Sequence, residues 1–178
     1  MMHFRKLLVV ALCGGCALSA QSANPLSAEV RFTYSTIKTN LTKLADKMPA
    51  DKYSYKPTPE VETFARRLAH IAEANFSICS GLNGERKSLG TASKTSKAEL
   101  VAALKQSFDT CDAVFDALTD ATAMERVNSR LGGPFPPDPT RSRLATLYNL
   151  VRHSNEMYGY MAVYLRLNGI TPPTSAPE

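Results

Sequence analysis

Hydrophobic positions recur at three- and four-residue steps along most of the chain after residue 24, in four separate stretches. The first begins near Pro25 and runs to about Lys47, with Val30, Tyr34, Ile37, Leu41 and Leu44 on one face. "MPADKYSYKPTPE" then interrupts it with three prolines in a polar connector. The second stretch is predicted to open at "TPEVETF", where Thr58 can cap, Pro59 suits the first turn, and Glu60 and Glu62 favour the positive end of a helix. Its stripe is Val61, Phe64, Leu68, Ile71, Asn75, Ile78 and Leu82, ending near Gly84. The third opens at "TSKAEL", where Ser96 and Glu99 have the spacing of a capping box, and continues through Val101, Leu104, Phe108, Cys111, Phe115 and Leu118. "SRLGGPFPPDPT" cannot be helical and reads as a long connection. The fourth runs from about Arg141 to Asn168 with a seam of Leu144, Leu147, Val151, Ser154, Tyr158, Met161 and Leu165, and Gly169 supplies its stop. No convincing period-two alternation and no fixed-period repeat accompany them. Four amphipathic helices of this length predict an all-α fold, a single four-helix bundle.

The start of the chain has a different character. "MMHFRKLLVVALCGGCALSAQSANP" places basic residues before an apolar stretch from Leu7 to Ala20 and small residues after it, the pattern of an export signal. The apolar run falls short of the ~20 residues a membrane-spanning helix needs, and no later segment supplies them. Cleavage between Ser19 and Ala23 gives a division into a signal at 1–22, a bundle at 23–170 and a flexible tail at 171–178. The expected location is periplasmic or extracellular, with no membrane attachment after cleavage. Lipid attachment at Cys16 is the alternative, but Cys13 stands where that pattern expects an aliphatic residue. Without residues 1 to 20 the chain keeps 19 Lys and Arg against 16 Asp and Glu, a balance of about +3 with the basic residues dispersed. That argues against a nucleic-acid partner. It leaves room for a homodimer without specifying one.

Removal of the signal leaves two cysteines, Cys79 and Cys111. In an oxidising compartment they are a disulfide candidate, the alternative being two buried thiols. The pair bears on topology. Cys79 lies near the end of the second helix and Cys111 past the middle of the third, so in an antiparallel hairpin they would sit roughly 15 Å apart in height. Parallel helices bring them level, and the connector from Gly84 to Ser96, about 12 residues, can reach up to ~40 Å. A bridge therefore favours second and third helices that run the same way.

Chemistry-bearing residues are few. His70 and His153 each sit near the middle of a helix, beside the apolar stripe rather than at its centre, so they can meet at one depth where bundles build metal sites. Singly, each reads as an ordinary boundary histidine. His153, Met157, Tyr160 and Tyr164 form a second seam on the fourth helix. Glu73 lies one turn after His70 and could orient or join a ligand set. Other paired acids, Glu60 with Glu62 and Asp109 with Asp112 and Asp116, read as helix-surface decoration, and nothing suggests a nucleophile triad or a phosphate loop.

With these residues in view, "NPLSAEVRFTYSTIKTNL", "KMPADKYSYKPTPEVETFARRLAHIAEANFSICS", "TSKAELVAALKQSFDTCDAVF" and "HSNEMYGYMAVYLRLNGITPP" together resemble the DinB/YfiT-like superfamily of bacterial four-helix-bundle metalloproteins over nearly the whole mature chain. The resemblance implies an up-down-down-up bundle, in accord with the parallel pair inferred from the cysteines. It also implies a divalent-metal site, for nickel or zinc, built from one histidine of the second helix and an H-x-x-x-H pair of the fourth. His70 and His153 stand at two of those positions, and Met157 stands where the third histidine is expected. Zinc sites use three or four protein ligands, whereas a His/His/Met set is chemically suited to Cu(I). Two functions of different class follow. One is a non-catalytic bundle that takes an unidentified small molecule in a pocket lined by Met157, Tyr160 and Tyr164. The other is a metal-dependent enzyme of the family's thiol-transferase or hydrolase type.

Overall fold

A computed structural model describes residues 24–127 and 141–175 of the 178-residue chain. Residues 1–23, which include the proposed signal, residues 128–140, which include the proline-rich connection, and residues 176–178 lie outside the described residues.

The first long helix, α1, spans Pro25–Lys47. Its N-terminus has no local side-chain cap. Instead, the Asp120 carboxylate accepts from the Leu26 N–H at 3.2 Å, the Ser27 N–H at 2.8 Å and the Ser27 hydroxyl at 2.6 Å, closing the open first turn from 94 residues away. After Pro49 the connector packs back on the helix end, with the Tyr53 hydroxyl donating to the Ala45 carbonyl at 2.9 Å.

The second helix, α2, spans Phe64–Leu82, so it starts about five residues later than the Thr58-Pro59 signal predicts. The connector supplies the reason. Phe64 N–H donates to Tyr55 O at 2.9 Å and Ala65 N–H to Tyr53 O at 2.8 Å, so donors of the first turn are satisfied there, and Thr63 caps by accepting from Arg66 N–H at 3.2 Å. Glu60 and Glu62 lie in the preceding turn.

Helix α3 spans Lys97–Asp116 with the Ser96/Glu99 capping box formed. The Arg31 guanidinium closes its other end, donating to Phe115 O at 3.1 Å and Leu118 O at 2.8 Å. Two small elements that hydrophobic periodicity did not predict follow: a one-turn helix, α4, at Asp120–Ala123, and a two-residue ribbon pairing β1 (Arg126–Val127) antiparallel with β2 (Arg141–Ser142). The last helix, α5, spans Arg143–Leu167, capped by Ser142 through the Ala145 N–H at 3.2 Å. Gly169 ends it at φ 72°, where a side chain would be strained, and the Ile170 N–H returns to Leu165 O at 2.9 Å. Beyond it the segment expected to be a free tail docks as far as the structure follows it. Lys47 Nζ donates to Thr171 O at 3.1 Å, and the Tyr158 hydroxyl meets the Thr174 hydroxyl at 3.0 Å.

The contacts fix the directions of the four long helices. α1 and α3 are antiparallel, since Ser27 meets Asp120 at one end and Lys97 Nζ donates to Asp46 O and Met48 O at the other. α5 is antiparallel to α2, its Tyr164 hydroxyl donating at 2.6 Å to Glu62 O just before α2 begins. The bundle is therefore up-down-down-up, with α2 parallel to α3. The sulfurs of Cys79 and Cys111 lie at disulfide distance, their Cα atoms 5.1 Å apart, and both side chains are fully buried. The core contains Ile37, Leu41, Leu44, Phe64, Leu68, Ile71, Leu104, Phe108, Phe115, Leu147, Met161 and Leu165, with Tyr34 stacked on Phe115 at 3.8 Å. These come from the four predicted stripes, as burial of one face per helix requires.

Candidate functional site

The antiparallel packing of α2 on α5 brings together the two histidines that sequence spacing singled out. His70 Nε2 lies 3.0 Å from His153 Nε2, the rings 85° apart and their centroids at 5.1 Å. One imidazole must donate and the other accept, so the pair is neutral or shares one proton; two imidazolium ions at this distance would repel. Burial, then Arg67 and Arg66, hold His70 below the usual imidazole range. His153 is lowered by burial, then by His70 and Arg152, with Glu156 opposing. His70 is nevertheless exposed and His153 half-buried, so the pair sits at the surface of the bundle, where α2 packs on α5.

The other predicted site residues separate. Met157 is 5% exposed and belongs to the apolar core. Tyr164 is buried with its hydroxyl on Glu62 O. Tyr160 is 50% exposed and lies under the Arg67 guanidinium, 5.5 Å from ring centroid to Cζ. These three residues therefore do not line one pocket: two fill the interior and one stands outside it. Glu73 turns away from the histidines to hold the segment 88–91, accepting from Leu89 N–H at 3.2 Å, Thr91 N–H at 3.2 Å and the Thr91 hydroxyl at 3.1 Å. Burial opposes ionisation of Glu73, but the hydrogen bonds from Ser88, Thr91 and Leu89 outweigh it and lower its pKa.

A metal ion is the group that the family resemblance implies here, so the donors must be tested against it. Among the described residues no three His, Cys, Asp or Glu side chains gather in one place. The carboxylate that approaches the pair, Glu156 Oε2, lies 3.8 Å from His153 Nδ1, on the opposite side of the ring from Nε2. Two imidazoles without a third strong donor do not make a zinc or nickel site. A Cu(I) site would need the Met157 thioether to leave the apolar cluster that now contains it. The donor set does not fit the group.

Sequence reasoning missed Arg67. Its Nε is sealed from solvent with no hydrogen-bond partner, and its place one turn before His70 in "RRLAH" was the available signal. The stripes placed Asn75 and Ser154 inward without naming their contact: Asn75 Oδ1 accepts from the Ser154 hydroxyl at 3.3 Å, while its Nδ2 has no partner among the described residues.

A family model described as the DinB superfamily matches residues 34–161. Among solved structures, the chain is similar to a DinB-like protein from Bacillus cereus ATCC 10987, at 20% identity and a TM-score of 0.67, covering 82% of this chain and 95% of that one. It is similar to a DinB-like protein from Bacillus subtilis at 19% identity, a TM-score of 0.59 and coverage of 80% and 94%. It also matches a conserved protein from Enterococcus faecalis at 13% identity, a TM-score of 0.60 and coverage of 79% and 95%. At these identities the likeness speaks for the fold. No curated protein matches the chain.

Proposed function

The chain belongs to the DinB superfamily, and from that premise we propose that it is an exported, non-catalytic binding module in which the family's metal position has become a hydrogen-bonded histidine pair. The observation that carries this reading is the 3.0 Å contact between His70 Nε2 and His153 Nε2 with no group of three His, Cys, Asp or Glu placed to hold a metal ion among the described residues. The shared hydrogen bond occupies both Nε2 atoms, so an ion held by these two nitrogens would have to replace it. Met157, where the third histidine is expected, contributes to the core instead. The signal-like residues 1–22 and the Cys79–Cys111 pair support export, since an oxidising compartment is where such a pair closes.

Calorimetric titration of the mature protein with zinc, nickel and Cu(I), in parallel with Met157→His, tests the reading. The wild type is expected to bind zinc and nickel weakly. Met157→His supplies a third imidazole four residues after His153; to reach the pair it must leave the apolar cluster that holds Met157, and in doing so it is expected to tighten zinc or nickel binding at least tenfold, about 1.4 kcal/mol. Tight stoichiometric zinc in the wild type would overturn the proposal and favour the metal-dependent enzyme.

A further inference from the structure

Side chains around the histidine pair form a ring across the surface where α2 meets α5. Arg67 of α2 lies over the Tyr160 ring, and the Tyr160 hydroxyl points at Glu156 Oε1, 3.5 Å away. Glu156 Oε2 stands 3.6 Å from Arg152 Nη1 and 3.8 Å from His153 Nδ1. His153 closes on His70, one turn along α2 from Arg67.

The charges in this ring do not balance. Glu156 is already shared between Arg152 and His153, and Arg66 turns away to donate to Ala92 O at 3.0 Å. Arg67 has a cation–π contact, and its Nε has no hydrogen-bond partner among the described residues. The sealed Nε is out of reach of a ligand from solvent, so the terminal amino groups of the guanidinium are the donors that an anion would meet. The guanidinium carbon of Arg67 lies over an aromatic face, which limits where the group can go, and a guanidinium fork matches two oxygens of a carboxylate or phosphate at once. Tyr160 and His70 are exposed, so the ring is reachable from solvent.

We propose that this ring binds a small oxyanion, with Arg67 as the anchoring donor, Tyr160 as the plate that orients it, and Arg152 compensating Glu156. The proposal rests on the reading of the histidines as a metal-free pair, and it names the class of ligand that the module takes. It does not use the apolar pocket expected from Met157, Tyr160 and Tyr164, because two of those side chains are core.

The test titrates the mature protein, in chelator, with inorganic phosphate and separately with succinate, read by calorimetry and by the NMR signal of the Arg67 Nε–H. Saturable binding of at least one anion with a shift of that signal is expected, and the two arms tell phosphate from carboxylate. Arg67→Gln should weaken it at least about tenfold. Arg67→Lys, which keeps the charge but not the fork, should weaken it measurably, and it stands in should the glutamine variant fail to fold. Arg66→Gln should leave affinity within about threefold, as expected for a charge outside the ring. Absence of saturable binding by both anions would overturn the inference, as would equal losses in the Arg66 and Arg67 variants, which would mean diffuse attraction to surface charge. A parallel zinc titration without chelator separates the two readings. Tight zinc overturns the metal-free module, whereas weak zinc with no anion binding overturns only the oxyanion site.

Discussion

Reduction of the Cys79–Cys111 bridge is expected to cost the bundle about 3.7 kcal/mol. The figure follows from the loop the bridge closes: the cysteines are 32 residues apart, and the chain-entropy relation gives about 12.4 cal/mol/K for a loop of that length, about 3.7 kcal/mol at 298 K. For a domain of this size the loss corresponds to a fall in Tm of about 10 °C. The parallel course of α2 and α3 makes the value large. Their connector must run back along a helix, so the reduced, unfolded chain regains the freedom of the whole segment between the cysteines. The assay is urea unfolding followed by circular dichroism, with and without a phosphine reductant, in the wild type and in Cys79→Ala/Cys111→Ala. Reductant should lower the wild-type midpoint and leave the double variant unmoved. That variant should lie no higher than reduced wild type, because both sulfurs are fully buried and their loss leaves small voids. A midpoint insensitive to reductant, or two alkylatable thiols in the untreated exported protein, would refute the reasoning.

Acidification should weaken the fold through the histidine pair. Both imidazoles are held below their ordinary range when folded, so the unfolded chain binds protons first. The pair is therefore neutral in its effect well above the ordinary imidazole pKa of ~6.5, and stability is lost as pH falls through and below it. The urea midpoint should drop between pH 7.5 and 5.5 more in wild type than in His70→Gln/His153→Gln, and equal drops would exclude the pair as the cause. Asp120→Ala should lower Tm by opening the first turn of α1. The Asp120 pKa is lowered by the Ser27 hydroxyl and by the Ser27 and Leu26 N–H groups, against burial, so this stabilisation is present at neutral pH and fades as pH falls through the carboxylate range. The difference between the two proteins should accordingly shrink in acid, and a constant difference would contradict the capping role. Tyr34→Phe keeps the stack on Phe115 but removes the hydroxyl that reaches Asp112 Oδ1 at 2.8 Å; a loss of about 1.5 kcal/mol in urea unfolding is expected, and no loss would mean that water replaces the bond at no cost.

The four stripes, the Ser96 capping box, the Gly169 stop and the parallel sense of α2 and α3 were legible in the sequence because each depends on local periodicity, on a cap three residues long or on one chain-length constraint. His70 and His153 were legible for a similar reason. Two histidines near the middle of two helices have few places to go in a bundle.

Other features depend on partners far away in the chain. The start of α2 moved from Thr58 to Phe64 because the connector carbonyls of Tyr53 and Tyr55 took its first donors, and no propensity records that competition. The cap of α1 comes from Asp120, which no local signal near Pro25 names. Glu73 shares a helix face with His70 in the sequence, yet the segment at 88–91 captures its carboxylate. On α5, the i, i+4, i+7, i+11 rule placed His153, Met157, Tyr160 and Tyr164 on one seam, but it could not say where the edge of the core falls across that seam. The sequence by itself determined the four helices and their order, and placed two histidines at a depth where they can meet. Tertiary packing alone decided that Met157 and Tyr164 go inward, that Tyr160 stays out beneath Arg67, and that the imidazoles face each other, because a side chain's surroundings are set by the neighbouring helix as much as by its own.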